Sequence, residues 1–450
     1  MSLLTGDRRK SLRETVKVVW PLAVSQLVYA ANHIWDRFWL ARSGSEQLQA
    51  SLSATMVAIM FVSFFSAAVG YSSTFVAQLH GDGRERESVS AFAQGLWLSL
   101  FSLPFLLVSV FAAFAIIDCS GHAAGVSSEE FAYIRIYVPG GVFLLLNGVL
   151  GGLLTGQGRT RFVSVCNMIG LFVNMALNPL FIKTFGLGNA GAALAGVASL
   201  SSTTVLLVFA VRKDPLYLRY AGTGALRLNL SLLVRILKAG LLNGFTAFVG
   251  CMSFTLFTLI IGGRAEMEAS ASNTVFAVNN ILYGLLCAIS DGVAIIAGRH
   301  QGSRDGDGAR RTLACGIMIA LTAFLVCFAV MLQWSDSIMR MFYPTGAAYS
   351  LAGFQRLGFV LLSVMFFREL GECIVIVYEG ALRGVGDVRF VMCTRIVSSV
   401  LLWAPVFVIM NANGSSIVAL WVSMVGFYAV QVVAFVVRWR LSKWESKRLF

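Results

Sequence analysis

The sequence predicts an all-α integral membrane protein: twelve transmembrane helices in two parallel six-helix bundles. Three observations carry this. The chain is strongly apolar, its apolar runs are long enough to cross a bilayer, and one pattern is written twice. Of 450 residues, 57% are hydrophobic and 13% charged, and the mean hydropathy is +0.77. Soluble domains carry about half apolar and a quarter charged residues, so this chain belongs in lipid.

A helix needs about 20 apolar residues to cross the hydrocarbon, because each backbone donor and acceptor must be satisfied within the segment. Runs of that kind fall in the first half at 16–41, 50–79, 88–118, 131–154, 162–182 and 190–211. In the second half they fall at 234–262, 271–298, 312–333, 352–381, 390–410 and 416–437. The first follows Arg8, Arg9, Lys10 and Arg13 but is longer than the apolar region of a signal peptide, so it reads as a retained helix. With the N-terminus inside, most Lys and Arg of the connecting segments fall on the inner side, and the outer segments hold only Arg42, Lys183, Arg264 and Arg340. That asymmetry puts both termini in the cytoplasm. The expected organisation is a cytoplasmic segment 1–15, a lobe 16–211, a linker 212–233, a second lobe 234–437 and a basic tail 438–450.

The repeated pattern ends the fourth span of each half. GLLTGQGRTRFV at 152–163 returns as GALRGVGDVRFV at 380–391, an offset of 228 residues. A second echo pairs GYSSTFVAQLHG at 70–81 with DGVAIIAGRHQG at 291–302, an offset of 221, at the inner end of both second spans. Halves of six crossings keep the same orientation, so an axis along the membrane normal should relate them. The glycines themselves fit either close helix packing or tight inner turns.

The net charge of +13 is spread over short segments rather than gathered into a face, which argues against nucleic acid. The eight cysteines form no C-x-x-C pair, and the four histidines lack ligand spacing. There is no phosphate-binding G-x-x-x-x-G-K-[ST] loop. An enzyme, an ATP-driven pump, a cofactor and a firm metal site are all unexpected.

Twelve spans, two parallel halves and L-x-G-x-G at the inner end of both fourth spans resemble the multidrug and toxic compound extrusion (MATE) family. So do a first helix running from Pro21 to Asp36, Y-I-R-I at Tyr133–Ile136, and N-x-x-x-N-P at Asn174–Pro179. The resemblance covers essentially the whole chain. It implies a V-shaped pair of lobes around a cleft that opens alternately outward and inward. It further implies export of amphipathic organic cations in exchange for H+ or Na+, by a monomer in the inner membrane of a prokaryote, with lipids as its only other partners.

Asp36 is the first carboxylate inside a span. An ionised carboxylate at that depth must be paired, protonated or wetted, and each choice makes it responsive to cations. The alternative is a salt bridge to Arg37 or a place at the outer interface. Asn174 and Asn178 lie four apart on one helix face, at nearly the depth of Asp36, as cavity groups or as a plain interhelical hydrogen bond. In the family resembled, matching positions form a network with the first-helix acid, and several members carry Asp where this chain has Asn178. Pro21 marks either a bend or the first turn of its helix.

The tenth span carries Arg368, Glu369, Glu372 and Glu379. Glu372 is either paired with Arg368 or, as one branch of the family implies, a second site for coupling ions, with transient Na+ at Asp36 or Glu372. That branch also has a glutamate in the seventh helix, which this chain lacks. Asp291 either lines the cleft or accepts hydrogen bonds from Ser290 and its neighbours. Tyr29, Phe64, Tyr137 and Tyr283 are candidate aromatic faces for a cation. One rival is a flippase of a lipid-linked precursor, from the same superfamily, which calls for a basic cavity and is found with fourteen spans. The other is a non-transporting receptor or scaffold, which the tandem halves and intramembrane acids argue against.

Overall fold

The structure is a computed structural model describing the backbone of residues 2–43, 45–119, 122, 124–262, 264–343, 349–442 and 444–446. It describes their side chains except at 2–9, 28–34, 37, 41, 42, 45, 46, 48, 49, 52, 258, 259, 262, 277 and 446. The first six spans are α1 (Ser2–Ser43), α2 (Ser45–Gly70) continued by α3 (Ser72–Gly81), α4 (Glu85–Cys119), α5 (Ala124–Gly156), α6 (Thr160–Asn178) with a π-helical turn Pro179–Thr184, and α7 (Gly188–Arg212). A short α8 (Pro215–Tyr220) lies in the linker. The second six are α9 (Leu230–Gly262), α10 (Glu266–Gly302), α11 (Gly306–Gln333) with a short α12 (Ser335–Met341), α13 (Leu351–Gly384), α14 (Val388–Ile396) joined through a π-helical stretch to α15 (Ala404–Ala412), and α16 (Ile417–Leu441).

Among the described residues, ten of these spans are long and apolar enough to cross a membrane by length and composition alone. Of the other two, α1 is described only in part, and α13 carries Arg368, Glu369 and Glu372. The outward faces are apolar, as in Phe105, Val108 and Phe111 of α4. That is the composition a lipid-facing surface requires.

The repeated motif has a specific geometric meaning. Its last glycine, Gly158 or Gly386, takes φ +85° or +91°, a left-handed turn that favours glycine, and so reverses the chain from the fourth span into the fifth. Two residues earlier the reason is packing. A Cβ on Gly156 would meet Val76 Cγ1 of α3 at 2.8 Å. The next residue sets a mirrored tether. Arg159 pairs with Asp214 (2.7 Å) in the first lobe, and Asp387 pairs with Arg438 (2.8 Å) in the second. Both tie the inner end of the fourth span to the inner end of the sixth, with the charges exchanged. Asp214 also accepts from Leu216 and Tyr217 N–H, capping α8.

Each lobe has its own apolar core. One runs through α2 to α7, with Phe75, Ile134 and Leu145 fully enclosed. The second lobe is built in two parts: Leu286, Val377 and Phe435 toward the inner end, and a ring cluster of Phe257, Phe276, Phe407 and Trp421 toward the outer end. The first helix is shared. Its inner half inserts Val19 into the second lobe's core, whereas its outer half packs on α6. It also begins at Ser2 rather than near 16, so Pro21 lies nineteen residues inside a continuous helix and is not a first-turn proline. At the end carrying the N-terminus, called the inner end, the lobes are stitched together. Tyr71 donates to Arg383 O (2.9 Å), Gln78 donates to Gly384 O (2.7 Å), and Arg299 meets Glu14 at 3.5 Å. A Cβ on Gly302 would collide with the carbonyl oxygen of Gln78. Gly302→Leu should therefore part this seam. Spin labels at Gly83 and Ser303 are expected to lose their short-distance population in that variant, and retention of the wild-type distance distribution would refute the assignment.

Candidate functional site

A cavity of ≈ 580 Å³ lies largely within the first lobe, walled by Asp36, Tyr137 and Asn174, and borders the second lobe at its floor, where Tyr71, Asp291 and Arg383 line it. The wall is assembled by a proline. Pro179 has no N–H, so the carbonyl of Met175, four residues back, loses its helical donor. The indole Nε1 of Trp35 takes that position at 3.0 Å, pinning the outer half of α1 to α6. Asp36, the next residue, is half-buried and accepts a hydrogen bond from Asn178 Nδ2. Asn178 also donates to Asn174 Oδ1 at 2.8 Å, and both asparagines are buried. Three residues of distant sequence position thus form one connected polar group at the edge of the cavity.

Tyr137 stacks on Tyr133 with centroids 5.2 Å apart, and both line the cavity. Phe64 and Tyr283 are not among its lining residues. Phe64 sits edge-on to Phe245 (5.2 Å) in the α2–α9 seam between lobes, because α9 presents Gly244 there and lets the ring approach. Tyr283 belongs to α10 of the second lobe, where its side chain is exposed. Pro21 is buried beside the cavity-lining Leu22, and its carbonyl accepts from Ser25 at 3.1 Å. The side chains of Tyr29 and Arg37 lie outside the described residues.

Glu372 belongs to a separate cluster inside the second lobe. Arg368 reaches Glu372 Oε2 at 2.7 Å and is also paired with Glu369, while the Tyr428 hydroxyl donates to Glu372 Oε1 at 3.0 Å. All three charged side chains are buried. Fully ionised, the cluster carries one surplus negative charge. Further along α13, Glu379 holds Arg395 by two contacts, at 2.6 and 3.1 Å.

Asp291 has a partner that its sequence neighbourhood did not suggest: Arg383 Nη2, at 3.3 Å. Sequence reasoning passed over Arg383 and Tyr428 as site residues, and took Trp35 as an aromatic face for a cation rather than as the donor that joins α1 to α6. The signal for Arg383 was available, since it replaces Thr155 in the repeated motif.

Two like-facing six-helix lobes with a cavity lined by Asp36, Asp291 and Arg383 define a secondary membrane transporter. The MatE family model matches residues 21–180 and again 244–409, once per lobe, and the chain belongs to the MATE family. It is similar to the probable multidrug resistance protein NorM of Bacillus cereus, with 23% identity over 89% of each chain. It is also similar to the multidrug resistance protein NorM of Aliivibrio fischeri, with 22% identity over 88% of this chain and 86% of that one. The fold superposes on a crystal structure of MATE in complex with MaL6 at a TM-score of 0.85, with 18% identity over 97% and 98% of the two chains. On an outward-facing multidrug resistance MATE family transporter of the MOP superfamily the TM-score is 0.84, with 16% identity over 97% of each chain.

Proposed function

We propose that this chain is a multidrug efflux antiporter that exports amphipathic organic cations in exchange for H+ or Na+ by alternating access. Asp36 is the acid at which cation and coupling ion take turns. The observation carrying this reading is a half-buried carboxylate that lines the cavity and accepts a hydrogen bond from the amide of Asn178. A carboxylate so placed gains from any cation that enters, and two cations cannot share it. Exchange follows when the ion and the drug favour different lobe arrangements. The seam at the inner end is one such arrangement, and its opening is the complementary one. Asn174 and Asn178 orient Asp36, Tyr137 offers an aromatic face, and Pro21 bends the helix that carries the acid. Glu372, with the surplus charge of its cluster, is a second place where a proton or Na+ adds.

The protein works as a monomer in the inner membrane of a prokaryote, with both termini cytoplasmic, one lobe over 16–211 and the other over 234–437. The lipid-precursor flippase is disfavoured because, among the described residues lining the cavity, the charged ones are two acids, Asp36 and Asp291, and one base, Arg383. The test is efflux of a fluorescent organic cation from vesicles containing the purified protein, with proton and sodium gradients imposed separately. Export driven by one of them is expected. No export under either gradient would overturn the reading.

A further inference from the structure

The inner end of the first lobe carries a second opening, apart from the central cavity. A cleft of ≈ 810 Å³ lies between the α3–α4 turn and the last residues of the linker, where Arg84, Arg86, Arg227, Leu228 and Leu230 line it. Its two acids are already engaged. Glu85 accepts from Arg219 Nη1 at 3.2 Å and from the Tyr220 hydroxyl at 3.1 Å, and Glu87 accepts from Arg84 Nε at 2.8 Å. Arg86 and Arg227 are exposed and have no ion-pair partner among the described residues. Arg86 Nη2 donates to Thr223 O at 3.1 Å, which carries its guanidinium across to the linker. The linker side is fixed by a fully buried amide: Gln94 Nε2 donates to Arg227 O at 3.1 Å, and Gln94 Oε1 accepts from Asn229 N–H at 2.9 Å. The corresponding turn of the second lobe, from α10 to α11, is covered by the chain's own tail. There Gln301 donates to Trp444 O at 3.1 Å, and Glu445 pairs with Arg310 at 2.6 Å. In the first lobe the segment that returns over the turn, 224–230, brings Arg227 and no acid.

We infer that this cleft binds the phosphate headgroup of an anionic phospholipid, held between the guanidinium groups of Arg86 and Arg227. The inference goes beyond the antiporter reading and needs only that these spans cross a bilayer. Two guanidinium groups on a fixed backbone match the oxygens of a phosphate, and their planar donor forks suit it better than any neutral headgroup. A lipid rather than a soluble anion follows from the surroundings. Leu228 and Leu230 are 43% and 66% exposed beside Arg227, and the helices leaving the cleft, α4 and α9, go on to exposed Leu100, Phe101, Val234 and Leu237. Apolar side chains in that position lie against acyl chains, while the arginines reach the headgroup level. A phosphate bound here bridges the α3–α4 turn to the linker that joins the two lobes. It supplies the negative charge that Glu445 supplies in the other lobe.

The experiment is native mass spectrometry of the purified full-length protein in a neutral detergent, titrated with phosphatidylglycerol or with phosphatidylcholine of the same acyl chains. The first phosphatidylglycerol is expected to bind wild-type protein about tenfold or more tightly than phosphatidylcholine, on the scale of about fivefold for each basic group at an anionic surface. Arg86→Gln with Arg227→Gln should remove that preference, whereas Arg86→Lys with Arg227→Lys should keep part of it. Arg212→Gln with Lys213→Gln removes the same charge from exposed positions of the inner end outside the cleft and should leave the preference intact. An unchanged preference in the Arg86 and Arg227 glutamine variant would overturn the site, and so would an equal loss in the Arg212 and Lys213 variant. Displacement of the lipid by millimolar glycerol phosphate would make the ligand a soluble anion and overturn the lipid assignment. If the double glutamine variant does not fold, Arg227→Gln alone should lower the preference about fivefold, and no change there is equally decisive. No gradient or drug enters the measurement, so its failure and that of the antiporter reading are separate results.

Discussion

Asp36→Asn is expected to cut gradient-driven efflux of a monovalent organic cation to about one-hundredth of the wild-type rate or less, with little change in thermal stability. The substitution is nearly isosteric. Its Oδ1 still accepts from Asn178, and Trp35 still closes the open carbonyl of Met175, so the α1–α6 contact survives. What disappears is the charge, and with it the group of that polar network that, among the described residues, can bind and release a proton or oppose a cation. A hydrogen bond to a charged group is worth up to about 3 kcal/mol, a factor of roughly one hundred. The measurement is the initial efflux rate in vesicles matched for protein content, alongside the melting midpoint in detergent. A variant that pumps at the wild-type rate under a proton or sodium gradient would remove Asp36 from the mechanism. A variant that has lost its fold would be recognised by the midpoint, and Asp36→Glu, which keeps the charge, should then recover part of the rate.

The convergence that makes this prediction specific was legible before any coordinates. The bilayer fixes the depth of each residue along a span, and depth placed Asp36 beside Asn174 and Asn178. The same constraint made the span count and the duplication legible, since a break in a long apolar run or a repeated inner turn is visible in one dimension. The extent of α1 was not. Its first turns carry Asp7, Arg8, Arg9, Lys10, Arg13 and Glu14, and a rule that counts apolar residues stops where the membrane does, although the helix continues into water. The sharing of α1 between lobes was also hidden, because two faces of one helix can serve two partners without any mark in its hydropathy.

Pairings across helices depend on rotation about the helix axes, which spacing alone does not give. For that reason Phe64, an apparent cavity ring, stands in the α2–α9 seam, and Asp291 appeared to lack a partner. Comparing the two repeats position by position recovers the second case. Gly70 becomes Asp291 and Thr155 becomes Arg383 at two places that border one cavity, and two opposite charges gained together at adjoining positions are the mark of a pair.

The second large effect is on stability and belongs to Arg368. Its side chain is 6% exposed, it holds both Glu369 and Glu372, and it lies 5.0 Å from the Tyr428 ring centroid and 5.8 Å from that of Phe276. Arg368→Met keeps most of the volume and removes the cation that, among the described residues, pairs with the two buried acids. Leaving buried charges without their partner costs about 3–5 kcal/mol. For a unit of about 200 residues, at roughly 2 °C per kcal/mol, this lowers the melting midpoint by about 6–10 °C. The loss should be largely reversed by adding Glu369→Gln and Glu372→Gln, because a neutral, hydrogen-bonded cluster no longer needs a counter-charge. Scanning fluorimetry of the single and triple variants in one detergent decides the matter. A single variant as stable as wild type would mean that the two acids already share enough protons to stand alone, and the surplus negative charge assigned to the second lobe would have to be given up.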